Sequence, residues 1–180
     1  MDNKKASLFW VDLEMTGLEP DVDKICEVGV IATDWQFNEI ARYEASVKLD
    51  RDFMETRMTG EFWRKNQASH DNLIKNSAAP ETKTAAQVEK ELIEFVNTNF
   101  DVSQPIYLAG NSIHQDQKFI EREWVQLDKL FNYRQLDVSA WKIVFENRGV
   151  VFNKPEAHRA MSDIEGSMEE LKYYLERVKF

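Results

Sequence analysis

The chain has 180 residues, 43% of them hydrophobic and 12% aromatic, and a formal net charge of −9 from 32 acidic and 23 basic residues. This length and composition predict a single folded domain over residues 1–180 and exclude an intrinsically disordered chain. The acidic balance argues against a protein that tracks long nucleic acid along a basic surface, so a polyanionic substrate is expected to be short or held through metal ions.

The N-terminal region and the cysteine content predict a cellular setting. Cys26 is the single cysteine, so no disulfide can form within the chain. The N-terminal region holds no uninterrupted apolar segment of the kind found in secretory signals, and no run approaches the roughly 18 to 20 apolar residues that span a membrane. These features predict a cytoplasmic protein without a membrane segment.

Three β-strands are predicted in the first part of the chain, over 8–15, 23–34 and 39–49. The first two are mainly apolar, whereas the third alternates between apolar and polar side chains, which is typical of a half-exposed strand. The short connection WQFN separates the second strand from the third. The segment is therefore expected to form an antiparallel meander.

Helical patterns begin after the third strand. Short helices are expected around 60–66 and 70–77, where the pattern is mixed. The segment 84–98 is clearer, because Thr84 and Gln87 are suited to a capping box and apolar residues then line one helical face.

The remainder of the chain alternates between strands and helices. Its predicted elements are a strand at 105–110, a helix at 117–131, a strand at 134–139, a helix at 138–149 closed by Gly149, and a last helix from about 161 to 178. Three early strands followed by this alternation indicate an α/β domain, built on a mixed five-stranded sheet with helices on its faces.

Asp12 and Glu14 lie two residues apart in the first strand, within LFWVDLEM. Side chains alternate across a strand, so both carboxylates point to the same face. Apolar flanks indicate a central strand, where two carboxylates need a cation, and oxygen ligands favour Mg²⁺ or Mn²⁺ over zinc. Composition alone yields roughly six acidic pairs at this spacing, so a solvated edge strand is the alternative interpretation.

Two further acids stand where helices begin. Asp116 follows the strand at 105–110, and Asp163 begins the last helix. Each has an ordinary alternative role, which is to stabilise a helix N-terminus through its charge. His158 precedes Asp163 by five residues, and the two can share a site only if His158 lies on a loop or in the first helical turn.

Four motifs, DLEMTGL, GNSIHQD, YRQLDVS and HRAMSDI, follow one another across nearly the whole chain. Together they resemble the oligoribonuclease family, DEDDh-class 3′-to-5′ exonucleases with a ribonuclease H-like fold. The resemblance implies a metal-dependent exoribonuclease that degrades short RNA, down to dinucleotides, by two-metal-ion hydrolysis. It implies as catalytic residues a general base at His158 and four acids that hold two Mg²⁺ or Mn²⁺ ions, namely Asp12, Glu14, Asp116 and Asp163.

The same resemblance implies a set of substrate-binding residues. Leu18 would wedge between the bases and Trp63 would stack on one of them. The terminal phosphate would be capped by Ser112, Arg134 and Ser139. Tyr133 and Arg134 would reach across a homodimer interface. Two alternatives stay open, since Trp63 is also suited to a core or interface position and Tyr133 to ordinary sheet packing.

The chain departs from the family pattern at four positions on the expected pocket rim, which are Ala68, His114, Asn132 and Gln135. These departures bear on substrate affinity more than on the type of reaction. Two competing functions are a DNA-directed exonuclease of the proofreading kind and an inactive domain of the same fold that serves as a dimeric interaction module. The missing basic surface and the phosphate-cap positions weigh against the first, and the presence of all five catalytic residues weighs against the second.

Overall fold

A computed structural model of the protein describes residues 5–153 and 159–178. The strands are β1 (Leu8–Met15), β2 (Ile25–Thr33), β3 (Glu39–Ser46), β4 (Tyr107–Gly110) and β5 (Leu136–Asp137). The helices are α1 (Arg51–Arg57), α2 (Glu61–Lys65), α3 (Gln67–Ser77), α4 (Ala85–Asn99), α5 (His114–Glu123), α6 (Val125–Asp128), α7 (Val138–Glu146) and α8 (Ala160–Leu175). Within these ranges no helix combines the length and the apolar character that a membrane crossing requires.

The strands form one mixed sheet in the order β3-β2-β1-β4-β5, which places β1 at its centre. β2 pairs antiparallel with both β1 and β3, as the predicted meander requires. β4 runs parallel to β1 and to β5. The prediction of an α/β fold on a mixed five-stranded sheet is confirmed, and so is the central position of the strand that carries Asp12 and Glu14.

The two faces of β1 pack against different helices. Phe9 and Val11 belong to an apolar cluster with residues of α4, α5 and α6, whereas Trp10 belongs to a second cluster with residues of α7 and α8. The sheet therefore carries helices on both faces, as predicted. Because side chains alternate along a strand, Asp12 and Glu14 share the face of Trp10, which α8 covers.

Helix α4 begins as the sequence predicts. Thr84 is its N-cap, and the Thr84 hydroxyl accepts a hydrogen bond from the Gln87 backbone N–H at 3.3 Å. In return the Gln87 side chain accepts one from the Thr84 backbone N–H at 2.8 Å. The buried face of the helix is formed by Val88, Leu92 and Val96. The prediction of this helix is confirmed because the residues of the N-cap and of the apolar face both lie within one continuous segment.

The helix predicted at 117–131 has the wrong bounds. Helix α5 begins at His114, and the chain leaves the helical conformation at Trp124, where φ is −126° and ψ is 57°. The Trp124 side chain is fully buried in the core. Burial of this indole accompanies the break between α5 and α6, a tertiary effect that helical periodicity does not encode.

The strand predicted at 134–139 is also too long. Only Leu136–Asp137 pairs with β4, because the Asp137 carboxylate accepts a hydrogen bond from the Ser139 backbone N–H at 2.9 Å and caps α7. An aspartate that caps a helix ends the extended conformation at that point.

Candidate active site

Three carboxylates meet where β1 faces the first turn of α8. Asp12, Glu14 and Asp163 each offer one oxygen, and these oxygens lie within 4.8 Å of one another. Asp12 and Glu14 come from β1, and Asp163 comes from the first turn of α8. We refer to these three residues as the acidic cluster. Its formation depends on how α8 packs, since no short-range spacing brings Asp163 to the strand.

A glycine allows α8 to reach the sheet. Gly29 is the β2 residue that pairs with Asp12. A Cβ atom at this position would lie 3.0 Å from backbone atoms of both Ala160 and Met161. Because that distance is shorter than an ordinary van der Waals contact, the first residues of α8 can lie this close only over a glycine. Asp163 follows less than one turn later and thereby faces Asp12.

Asp116 adjoins the acidic cluster. It lies in the first turn of α5 with 7% of the residue exposed. Its Oδ1 accepts a hydrogen bond from the Leu13 backbone N–H at 3.0 Å, so it ties α5 to β1 between Asp12 and Glu14. Burial, followed by the charge of Asp12, raises the pKa of Asp116 well above its usual range. Among the described residues, three of the four predicted acids come together and the fourth stands beside them.

Burial and repulsion between carboxylates dominate the ionisation of Glu14 in the acidic cluster. Burial, followed by the charges of Asp12, Glu27 and Asp163, raises the pKa of Glu14 to about 8. The nearby Arg159 lowers this pKa, but by less than the other contributions raise it. Carboxylate oxygens are the ligands that Mg²⁺ and Mn²⁺ prefer, and a divalent cation would offset this repulsion. The residues present therefore fit a divalent metal ion.

An ion pair with one buried partner lies beside the acidic cluster and was not predicted from the sequence. The nearly fully buried Glu27 accepts a hydrogen bond from Arg159 Nε at 3.1 Å. The Arg159 backbone N–H in turn donates to Asp163 Oδ2 at 3.2 Å. The pair thus joins β2 to the start of α8 and orients Asp163. One signal was available, namely an acid within the otherwise apolar strand ICEVGVIAT, but its partner lies 132 positions away.

His158 lies outside the described residues. Its role as general base therefore stays a prediction. The next residue, Arg159, is held by Glu27 and by Asp163, so the described chain resumes directly beside the acidic cluster.

A cavity of about 270 Å³ shares Glu14 with the acidic cluster and is also lined by Leu18 and Trp63. We call it the Leu18–Trp63 cavity. Leu18 is 72% exposed, whereas Trp63 is only 8% exposed and packs in an apolar cluster with Met54 and Leu73. Trp63 therefore lines the cavity and also belongs to the core, and its stacking on a base stays a prediction. An apolar cavity with an indole wall suits a nucleobase.

A second cavity, of about 540 Å³, shares Asp163 with the acidic cluster and is lined by Ser112, Ser139 and Lys142 among others. We call it the Ser112–Ser139 cavity. The two serine Oγ atoms lie 3.1 Å apart, and the Ser112 backbone N–H donates to Ser139 Oγ at 2.8 Å. The hydroxyls and the ammonium group suit a phosphate, whereas the carboxylates of Glu146 and Glu170 in the same lining do not. Lys142 was not predicted from the sequence, although it follows Ser139 by one helical turn on α7.

Tyr133 and Arg134 lie on the surface just before β5. Tyr133 is 77% exposed, so the alternative that it packs within the sheet is wrong for this chain. The Arg134 guanidinium stands 4.9 Å from the centre of the Tyr133 ring, and the Arg134 backbone N–H donates to Asn132 Oδ1 at 3.0 Å. Neither Tyr133 nor Arg134 is among the described residues that line the Ser112–Ser139 cavity.

Comparisons with known proteins find relatives over nearly the whole chain. The RNase T family model, described as an exonuclease, matches residues 9–171. The chain is 39% identical over 187 residues to an oligoribonuclease of Idiomarina loihiensis, covering 97% of this chain and 96% of that protein. Identity to an oligoribonuclease of Chromobacterium violaceum is 37% over 179 residues, covering 94% of each chain.

Solved structures of exonuclease I are similar in fold. The Escherichia coli enzyme in complex with a 5cy-dT13 oligonucleotide matches with a TM-score of 0.69 at 14% identity and covers 97% of this chain. Exonuclease I from Methylocaldum szegediense matches with a TM-score of 0.68 at 16% identity and covers 96% of this chain. The chain spans only 41% of the length of each of these proteins. The likeness concerns the fold alone, and it confirms the ribonuclease H-like expectation.

Proposed function

This chain belongs to the oligoribonuclease family of exonucleases, and on that premise we propose that it degrades short RNA oligonucleotides in the cytoplasm, with diribonucleotides as preferred substrates. Family membership makes it a 3′-to-5′ exoribonuclease. The proposal concerns the substrate length, the metal site and the roles of individual residues.

The main support for the proposal is that two cavities adjoin the same acidic cluster. The Leu18–Trp63 cavity contains Glu14 in its lining, and the Ser112–Ser139 cavity contains Asp163. A diribonucleotide with a phosphorylated end has two nucleosides joined by one scissile phosphate and a separate terminal phosphate. A base held by Leu18 and Trp63 and a terminal phosphate held near the serines would leave the scissile phosphate beside the carboxylates.

The chemistry assigned to each group follows from its type. Two divalent ions, when bound, supply charge neutralisation and an activated water for phosphodiester hydrolysis. The acids that would hold these ions are Asp12, Glu14, Asp116 and Asp163, and their oxygens suit Mg²⁺ as well as Mn²⁺. His158 would accept the proton of the attacking water, since an imidazole with an ordinary pKa near 6.5 is an effective base at neutral pH.

Short substrates suit the charge of the molecule. With a net charge of −9, the protein gains little from counterion release along a long backbone. A cap on the terminal phosphate, formed by Ser112 and Ser139, would favour an RNA that ends there. We further propose a homodimer in which the exposed Tyr133 and Arg134 complete the cap of the partner subunit.

The proposal is tested with 5′-labelled RNA of two to seven nucleotides and DNA of the same sequences, in Mn²⁺ or in chelator. The expected result is loss of single nucleotides from the unlabelled 3′ end, fastest for the diribonucleotide and abolished by chelator. Faster cleavage of the longest RNA would contradict the preference for short substrates. Preferential cleavage of DNA would favour the proofreading alternative, and no cleavage of any substrate would favour the interaction module.

His158→Ala tests the general base. Turnover of the diribonucleotide should fall by about 100-fold or more, because proton transfer by a positioned base contributes roughly that much. Substrate affinity should change far less, because the imidazole is not assigned to binding. Fluorescence titration with a labelled diribonucleotide measures this. An affinity loss as large as the rate loss would contradict the assignment.

A further inference from the structure

We propose that the ion pair between Asp23 and Arg57 is a positioning device that holds the two walls of the Leu18–Trp63 cavity at the spacing a nucleobase needs. The inference rests on the proposed function of that cavity. It assigns a role in substrate affinity to two residues that touch neither the acidic cluster nor the expected path of the substrate.

The two walls come from separate segments of the chain. The first is the loop of residues 16–24 between β1 and β2, which contributes Gly17 and Leu18. The second follows α1 and contributes Thr59 and Trp63. No strand pairing joins these two segments within the described residues, so their separation depends on side-chain contacts.

Asp23 organises the first wall. The residue is 1% exposed, and its carboxylate accepts hydrogen bonds from the Thr16 hydroxyl and the Glu19 backbone N–H, each at 3.0 Å. The loop closes so tightly around this carboxylate that a Cβ on Gly17 would overlap it. The position of Leu18 is therefore coupled to that of Asp23.

Arg57 links Asp23 to the second wall. Arg57 Nε donates to Asp23 Oδ1 at 2.9 Å, and Arg57 Nη2 donates to Asp23 Oδ2 at 3.1 Å. This two-point contact fixes orientation as well as distance. Arg57 is the last residue of α1, and Thr59 of the cavity wall follows two residues later.

The pair is expected to matter energetically because one partner is buried. Burial alone would raise the pKa of Asp23. The hydrogen bonds from Arg57, Glu19 and Thr16 nevertheless hold this pKa below its usual range. Removal of Arg57 would leave a buried carboxylate without its cation, and the loop would have to open for water to reach it. Such opening would separate the wall that contains Thr59 and Trp63 from the wall that contains Leu18.

A second contact makes the expected effect specific. Gln115 Nε2 donates to the Leu18 carbonyl at 2.8 Å and fastens the loop to α5. The loop therefore keeps an anchor on the side of the acidic cluster when Arg57 is lost. The cavity should widen while the carboxylates stay in place, so affinity should suffer and the chemical step should not.

The experiment compares Arg57→Ala with Arg51→Ala, the matched control. Arg51 lies on the same helix and pairs with Glu55 at 3.4 Å, but both side chains are more than half exposed. For hydrolysis of a diribonucleotide, Arg57→Ala should raise KM about tenfold with kcat within about twofold of the wild type, the signature of lost ground-state binding. Arg51→Ala should match the wild type in both constants.

Two additional variants keep the test decisive. Arg57→Lys keeps the charge but not the two-point contact, so its KM should lie between those of Arg57→Ala and the wild type. If Arg57→Ala unfolds, the double variant Asp23→Asn/Arg57→Gln takes its place, because it leaves no buried charge unpaired. Its KM should also rise. Hydrogen exchange over residues 16–24 should be faster in Arg57→Ala and unchanged in Arg51→Ala.

The outcomes separate the inference from the proposed function. An unchanged KM in folded Arg57 variants, or a fall in kcat without a rise in KM, would overturn the positioning role while the wild type still cleaves RNA. A wild type that cleaves no RNA would overturn the proposed function and, with it, the premise of the inference.

Discussion

The ionisation of Glu14 depends on its burial and on the neighbouring charges of the acidic cluster. Its pKa is raised from 4.5 to about 8, so between these pH values the folded protein in chelator keeps a proton that the unfolded chain releases. The free energy of unfolding should therefore fall as the pH rises from about 4.5 to about 8. Glu14→Gln removes this contribution. Between pH 5 and pH 8, the urea midpoint should fall more for the wild type than for Glu14→Gln, by roughly the difference that linkage predicts.

The control is Glu169→Gln, which neutralises an exposed acid on α8 and should follow the wild type. Addition of Mn²⁺ should stabilise the wild type more at high pH than at low pH, because the cation competes with the proton for the same oxygens. Parallel pH curves for the wild type and Glu14→Gln would show that Glu14 is not perturbed.

At this scale the sequence predicts only part of the site. The common face of Asp12 and Glu14 follows from the alternation of side chains along a strand. The approach of Asp163 does not, because it depends on contacts between α8 and Gly29. The same is true of Asp116, whose carboxylate holds the backbone of β1. Tertiary packing, rather than residue type, decides which acids meet.

At the scale of secondary structure, the contact between β2 and α8 determines the position of Asp163. Gly29→Ala would place a Cβ 3.0 Å from the backbone of α8, and the start of the helix must shift by a few tenths of an ångström. Asp163 would move away from Asp12 and Glu14. Diribonucleotide hydrolysis is expected to fall by about tenfold or more, comparable to disturbing the supporting shell of a metal site. Steady-state kinetics with a Mn²⁺ titration measures both the rate and the metal requirement.

Thr84→Ala is the matched control for a general loss of stability. It removes the N-cap of α4, which packs on the opposite face of the sheet, and should cost about 1 kcal/mol of unfolding free energy. Its activity and its Mn²⁺ requirement should match the wild type. If Thr84→Ala loses as much activity as Gly29→Ala, activity follows stability rather than the position of α8.

Elements are predictable from the sequence where their signals are local. The cap and apolar face of α4 lie within one segment, and a short connection joins the second and third strands of the meander. The break at Trp124 was not predictable, because burial of its indole depends on neighbours from elsewhere in the fold. The early end of β5 has a local cause, because Asp137 caps α7 through the Ser139 backbone N–H two residues later. The exact end of a helix or strand is therefore difficult to predict from hydrophobic periodicity alone.

At the scale of the whole molecule, the proposed homodimer predicts complementation between two inactive variants. If Tyr133 serves the partner subunit, a mixture of Asp163→Asn and Tyr133→Ala chains forms heterodimers in which one site has intact acids and a tyrosine. Random exchange of subunits should restore about a quarter of the wild-type sites, and hydrolysis should rise accordingly. The measurement is diribonucleotide hydrolysis after mixing and re-equilibration.

The control is a mixture of Asp163→Asn with Asp12→Asn. Both changes lie in the acidic cluster of their own subunit, so no heterodimer contains an intact site. Recovery of activity in this control, or none with Tyr133→Ala, would contradict a tyrosine that acts across the interface.

The most direct test of the account is the location of bound Mn²⁺ by anomalous X-ray scattering from crystals soaked in Mn²⁺ and a diribonucleotide. We expect anomalous peaks within about 2.0 to 2.5 Å of carboxylate oxygens of Asp12, Glu14 and Asp163, the range for oxygen ligands of such ions. Anomalous peaks elsewhere, or none at these residues at saturating Mn²⁺, would contradict the central claim that this cluster is a metal centre.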